Sequence, residues 1–384
     1  VAVAESTKTR YTSLADRASR LYSPLVHILS FSAFGYWMWA TGGDVRYAIN
    51  ISAAVLIITC PCALGLAVPA VITSASGKLF RKGLLIKHGT ALERLAEVDT
   101  VVFDKTGTLT LGVPEPVGLA QHPADALALA AALAAGSSHP LARALADGAR
   151  VLGIAPADVA DLREVPGHGI EGQWQGTRVR LGRADWCGAR PLAETATYLA
   201  VNGVTHGFAF IDRPRPGAAQ AVQALQAAGM RIELLSGDAE APVRALAERL
   251  GIADWRAGVL PAEKAARVAD LSGAGRKVLM VGDGLNDTAA LAAAHVSISP
   301  ATALDAARVA SDIVLLGQDM APIADAVRIG RQSARRMVEN FLISGGYNVI
   351  AVPLALVGLA TPLAAALAMS LSSITVSLNA MRLR

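Results

Sequence analysis

The chain has 384 residues, 53% hydrophobic and 17% charged, with a formal net charge of +4. Its mean hydropathy of +0.42 is too high for an ordinary water-soluble domain of this length. Three cysteines make no disulfide framework, and no Lys/Arg patch interleaved with aromatics marks a nucleic-acid binder.

Residues 1–21 are polar, carry no signal peptide and open on Val1. They read as a cytoplasmic linker, and the chain as the C-terminal part of a longer protein. The apolar excess lies in four segments: 22–40 and 45–73 (within 22–77), then 338–359 and 362–380 (within 337–384). Each supplies roughly 20 apolar residues, enough to cross a bilayer; buried core helices are the alternative. Lys78, Arg81, Lys82 and Lys87 follow the second segment, and Arg331, Arg335 and Arg336 precede the third. By the positive-inside rule the residues between are cytoplasmic. The expectation is a multi-pass protein of a bacterial inner membrane, in contact with membrane lipid. Inside the second segment, Cys60-Pro61-Cys62 sets two thiols around a residue that breaks a helix. Such a pair suits a soft ion, Cu(I) or Zn²⁺; two small buried cysteines beside a kink are the alternative.

The apolar run Thr100-Val101-Val102-Phe103 reads as a buried strand, and Asp104-Lys105-Thr106-Gly107-Thr108 as the turn that ends it. Asp104 is thereby offered at a strand's carboxyl end, where open α/β sheets bind ligands and where a carboxylate can accept a phosphoryl group. Two more apolar runs end likewise, in Ser236-Gly237-Asp238 and in Gly282-Asp283-Gly284-Leu285-Asn286-Asp287, with Lys264 between them. Two carboxylates would hold Mg²⁺, and a Lys with a hydroxyl would neutralise phosphoryl oxygens. The α/β domain is assigned to 78–115 and 208–336. Residues 116–207 form an insertion, helical over 126–135 and 140–152, then strand-like with glycine punctuation over 162–181. The fold class expected is an α/β phosphorylation domain with an inserted α+β domain, plus a helical membrane bundle.

Asp104-Lys105-Thr106-Gly107-Thr108 and Gly282-Asp283-Gly284-Leu285-Asn286-Asp287 resemble the haloacid-dehalogenase-like core of P-type ATPases. With Cys60-Pro61-Cys62, the resemblance extends over essentially the whole chain to the heavy-metal branch. It implies an aspartyl-phosphate on Asp104, ATP as donor, and catalytic roles for Lys105, Thr106, Ser236, Gly237, Asp238, Lys264, Asp283, Asn286 and Asp287. Mg²⁺ would be held by Asp104, Thr106 and Asp283. Soluble phosphatases of the superfamily carry a second Asp two residues after the nucleophile; Thr106 stands there and cannot act as a general acid near neutral pH. The intermediate is expected to persist.

In the insertion, Ser138-His139-Pro140 and Pro166-Gly167-His168-Gly169 match the family's nucleotide motifs and imply His139, Gly167 and Gly169 as contacts. The chain departs at Ser138, where many members have Glu, and at His295, where Asp is usual. Both departures resemble the copper pumps that serve bacterial cytochrome-oxidase assembly. From Phe341 to Ala380 there is no charged residue, and Met369 adds a thioether to the two thiolates, a set that favours Cu(I). Tyr347-Asn348 and Met369-x-x-Ser372-Ser373 match copper(I) members, which implies a site of Cys60, Cys62, Tyr347, Asn348, Met369 and Ser373. A copper-donor chaperone or small copper complex would load it, and the N-terminal region of the same protein would act with it. The alternatives are a Zn²⁺/Cd²⁺ pump, a membrane-anchored phosphatase and a non-catalytic copper-binding remnant. No Thr-Gly-Glu run occurs in the 384 residues.

Overall fold

The computed structural model describes residues 14–59, 62–192 and 194–383. Thirteen strands occur among them. They are β1 (Leu84–Ile86), β2 (Thr100–Asp104), β3 (Thr110–Val117), β4 (Ala160–Val165), β5 (Gly169–Trp174), β6 (Thr177–Gly182) and β7 (Thr195–Val201). The rest are β8 (Val204–Pro214), β9 (Arg231–Leu235), β10 (Asp254–Arg256), β11 (Val278–Val281), β12 (Val296–Pro300) and β13 (Ile313–Leu315).

Seven of them form one sheet in the order β1-β13-β12-β11-β2-β9-β10. All neighbours run parallel except the edge pair β1–β13. Helices cover both faces, which is why β2 and β11 are continuous apolar runs rather than alternating ones. Successive residues still go to opposite sides. Val101, Phe103, Leu279 and Val281 join one core, and Val102, Val278 and Met280 the other. Because β9, β2 and β11 are adjacent, Phe103 lies between Leu234 and Val281 in register. The three strand ends read from the sequence therefore meet at one edge.

The second sheet is antiparallel, in the order β3-β8-β7-β6-β5-β4. The helices Ala124–Ala135 and Pro140–Val151 contribute Leu127, Leu133 and Leu145 to a core with Leu199 and Phe208. The boundaries 115/116 and 207/208 fall inside β3 and β8, which pair with each other and are the two chain passages between the sheets.

Long helices complete the fold: Leu14–Ala40, Val45–Ile58, Cys62–Arg81, Ala321–Leu356 and Pro362–Met381. Among the described residues one, Pro362–Met381, is long and apolar enough to cross a membrane. The expected single segment 45–73 is two helices. The first ends where Thr59 donates its hydroxyl to Val55 O at 2.6 Å, and the second starts at Cys62. A proline at 61 has no N–H to continue the ladder. The expected segment 338–359 is the latter part of a 36-residue helix, about 54 Å long at 1.5 Å per residue. One end of this helix buries Ile323, Val327 and Ile329 in the core of the seven-stranded sheet. The other end packs Ala355 with Ala33, Ile51 and Val55.

Candidate active site

Asp104 closes β2 and is 5% exposed. Lys264 projects from the first turn of the helix Pro261–Gly273, which Pro261 opens and Glu263 caps by accepting from Leu260 N at 2.8 Å. Its Nζ donates to Asp104 Oδ1 and, at 2.8 Å, to Asp287 Oδ1. Asp104, Asp283 and Asp287 each offer an oxygen within 4.8 Å of the others. Lys105 pairs with Asp238, which also accepts from the Thr106 hydroxyl at 3.3 Å. Ser236 is buried and its hydroxyl accepts from Asp238 N at 3.1 Å, so Ser236-Gly237-Asp238 turns tightly at the end of β9. Asn286 is exposed. Nine of the ten expected catalytic positions thus lie in one side-chain and turn network on the carboxyl edge of the parallel sheet, with Asn286 at its rim.

Burial, reinforced by the Asp287 charge, pushes Asp104 up to about 7 against the pull of Lys264. Burial and Asp287 likewise push Asp283 up to about 6. Burial alone would lower Lys264, but the carboxylates of Asp104 and Asp287 outweigh it and raise it, so the ammonium stays charged. The site holds more negative charge than one lysine balances. A hard oxygen set with surplus negative charge fits Mg²⁺, with Asp104 and Asp283 as carboxylate ligands. Gly107 is the reason the turn can sit so close: at φ +70° it has a backbone few side chains adopt, and a Cβ there would lie 1.7 Å from Asp283 Oδ2.

Two residues escaped the sequence reading. Arg215 is buried, and its guanidinium donates to Gly107 O at 2.7 Å, Thr110 O at 3.2 Å and Thr302 Oγ1 at 3.1 Å. Asp212 accepts from the Thr110 hydroxyl at 2.5 Å and from Gly112 N at 3.1 Å. Together they clasp the segment after Asp104 to the end of β8. The signal available was the dense run Asp212-Arg213-Pro214-Arg215-Pro216, too charged and too proline-rich for an ordinary strand end.

In the antiparallel sheet a cavity of about 490 Å³ is lined by Ser137, His139, Glu164, Gly167, His168 and Gly169, among others. His139 caps the helix Pro140–Val151, its Nδ1 accepting from Leu141 N at 3.2 Å. The three expected nucleotide residues therefore share one concavity. Gly169 and Gly182 let β5 and β6 approach: a Cβ on Gly169 would lie 2.2 Å from Leu181 O. His295 is elsewhere, its Nε2 2.8 Å from Glu97 Oε2 and its carbonyl accepting from Arg94 at 2.6 Å. Ser138 is exposed and does not line the cavity.

Of the soft-ion residues, Cys60 lies outside the described residues, and of Cys62 only its place at a helix start is described. The Tyr347 hydroxyl is buried without a hydrogen-bond partner among the described residues, and so is that of Ser372. Met369 and Ser373 are half-buried on the helix Pro362–Met381.

A family model described as haloacid dehalogenase-like hydrolase matches residues 98–295. The chain is 48% identical over 388 residues to the nitrogen fixation protein FixI of Rhizobium leguminosarum bv. viciae, covering 99% of this chain and 50% of that protein. It is 38% identical over 413 residues to a copper-transporting P-type ATPase of the same organism, covering 100% of this chain and 49% of that one. A solved zinc-transporting PIB-type ATPase in its E2.Pi state superposes with a TM-score of 0.83 at 31% identity, covering 99% of this chain and 66% of that structure. The chain spans about half the length of the curated relatives it matches. It belongs to the haloacid dehalogenase-like hydrolases, in their P-type ATPase branch.

Proposed function

We propose that this chain is the ATP-driven core of a Cu(I) pump that works through an aspartyl-phosphate on Asp104. The observation that carries the reading is the cluster of buried Asp104, Lys264 and Asp287 with half-buried Asp283. An Asp104 oxygen attacks the γ-phosphorus of ATP, the bond to the β-phosphate oxygen breaks, and ADP leaves. Mg²⁺, when bound, supplies the positive charge that lets Asp104 ionise and screens the phosphoryl oxygens. Lys264 and the Ser236 hydroxyl neutralise the same oxygens. Thr106, in place of a general acid/base, leaves the acyl-phosphate long-lived. Residues 22–77 and 337–384, carried by the helices Leu14–Ala40, Val45–Ile58, Cys62–Arg81, Ala321–Leu356 and Pro362–Met381, form the membrane part, with the two sheets and the sheet-packed start of Ala321–Leu356 on the cytoplasmic side. Cys60, Cys62, Tyr347, Asn348, Met369 and Ser373 receive the ion, delivered by a copper donor.

Labelling with γ-³²P ATP tests this. An acid-stable, hydroxylamine-sensitive adduct is expected in the wild type and none in Asp104→Asn; equal labelling of both would refute the assignment. The fold match to a zinc-transporting ATPase supports Zn²⁺ as a second reading. X-ray absorption of the copper-loaded protein should show sulfur scatterers that vanish in a Cys60→Ser/Cys62→Ser variant. Labelling stimulated by Zn²⁺ but not by Cu(I) or Ag(I) would give the ion to the second reading.

A further inference from the structure

The cavity beside β5 contains one carboxylate, Glu164, at the end of β4. Its placement is built rather than incidental. The Ser137 hydroxyl accepts from His139 N at 3.2 Å and donates to Glu164 Oε1 at 2.7 Å. One carboxylate oxygen is thereby tied to the loop that opens the helix Pro140–Val151. The other has no protein partner among the described residues. The two histidines have fixed tautomers for the same geometric reason. His139 Nδ1 accepts a backbone N–H, so its proton sits on Nε2. His168 Nδ1 lies 3.1 Å from Pro166 O, which can only accept, so Nδ1 donates. The rim of the cavity thus offers a donor at His139 and an acceptor at Glu164.

We infer that Glu164 is the residue that selects adenine in this chain, its free oxygen accepting a hydrogen bond from the base's exocyclic amino group. The inference rests on the nucleotide reading above and adds its specificity. An amino group beside a ring nitrogen matches an acceptor beside a donor. A 6-oxo base presents its own oxygen to the carboxylate, so the same contact becomes repulsive. An anionic acceptor makes this contact stronger than a neutral one. Ser138 brings no carboxylate to the cavity, which leaves Glu164 alone in that role.

Equilibrium binding of ATP and ITP to the whole 384-residue chain in EDTA, where no transfer occurs, tests this. Wild type is expected to prefer ATP. Glu164→Ala should weaken ATP about tenfold, the scale of a hydrogen bond to a charged group, and leave ITP unchanged or slightly tighter. Glu164→Gln, whose amide oxygen still accepts, should keep part of the preference. An equal loss for both nucleotides would assign Glu164 a packing role and overturn the inference, as would an unchanged ATP/ITP ratio in Glu164→Ala. Those two outcomes leave ATP binding by the chain standing. Failure of the wild type to bind ATP would overturn both the inference and the nucleotide reading.

Discussion

At the edge of the parallel sheet, Asp104, Lys264 and Asp287 are 5%, 5% and 1% exposed, and the Lys264 ammonium meets a carboxylate oxygen of each aspartate. In the antiparallel sheet His139, Glu164, Gly167 and His168 stand around an open cavity and are exposed. The difference follows from what each must do. Phosphoryl transfer needs charges fixed before the reaction in a place where water does not screen them. Holding a base needs shape, two or three oriented hydrogen bonds and room to enter. Damage at the first site should appear in the rate of transfer, and damage at the second in nucleotide affinity alone.

Lys264→Met should show the largest effect. It leaves Asp104 and Asp287 buried without their shared cation, and removing one partner of such a group is costly. Initial labelling rates at saturating ATP should fall about 10²–10³-fold, the scale of losing one preorganised stabilising group. ATP affinity, measured by equilibrium binding, should not move. A comparable loss of affinity would erase the division between the two regions.

Gly107→Ala comes next. The added methyl overlaps Asp283 and the residue must hold φ +70°, so the turn after Asp104 has to shift. A shift of that size at a reacting centre costs about 10²-fold in transfer. The matching change in the other sheet, Gly167→Ala, meets no atom within 4 Å, though at φ +78° it is strained. It should alter ATP binding and leave the transfer rate at saturation intact. If Gly107→Ala labels at the wild-type rate, the close approach of the turn to Asp283 is not required.

What could be read beforehand divides along the same line. The three strand-end runs were legible because a buried parallel strand is a local pattern: Val101–Phe103, Leu234–Leu235 and Val278–Val281 each stop at a polar turn. Their adjacency was not legible in any one of them, since it depends on strand order. Arg215 is 108 residues from Gly107 in sequence, and nothing local announces that contact. The hairpin β7–β8 did carry a local sign, Asn202-Gly203, whose φ values of +49° and +77° are those of a tight two-residue turn. Thr195–Val201 alternates weakly, so the strands themselves gave little. In the segment 45–73 hydropathy alone shows one apolar run, and the helix break is legible only from Pro61, which the helices Val45–Ile58 and Cys62–Arg81 flank.

A smaller effect concerns pH without Mg²⁺. The Asp104 carboxyl is pushed up to about 7 in the folded chain, above its unfolded value of about 3.9. Between those values the folded state holds the extra proton, so stability falls as pH rises from about 4 to about 7. Asp104→Asn removes this penalty. In EDTA its melting temperature should exceed that of wild type by more at pH 8 than at pH 5. Mg²⁺ should shrink the gap by stabilising the ionised wild type. An equal difference at both pH values would mean that Asp104 titrates as an ordinary surface acid.

The smallest effect belongs to Ser137→Ala. Ser137 touches no charge-transfer chemistry; its hydroxyl links His139 N to Glu164 Oε1 across the mouth of the cavity. Both partners are exposed, so the lost bonds are largely replaced by water, and even the bond to the Glu164 carboxylate is worth about 1 kcal/mol or less in such a place. ATP affinity should drop about threefold, because Glu164 now samples more orientations before binding. Transfer at saturating ATP should be unchanged, since no atom of the Asp104 cluster depends on this bond. A Ser137→Thr variant, which keeps the hydroxyl, should return most of the affinity. If Ser137→Ala instead slowed transfer at saturation, the cavity would be shaping the reacting geometry as well as holding the base, and the division of labour between the two sheets would have to be redrawn.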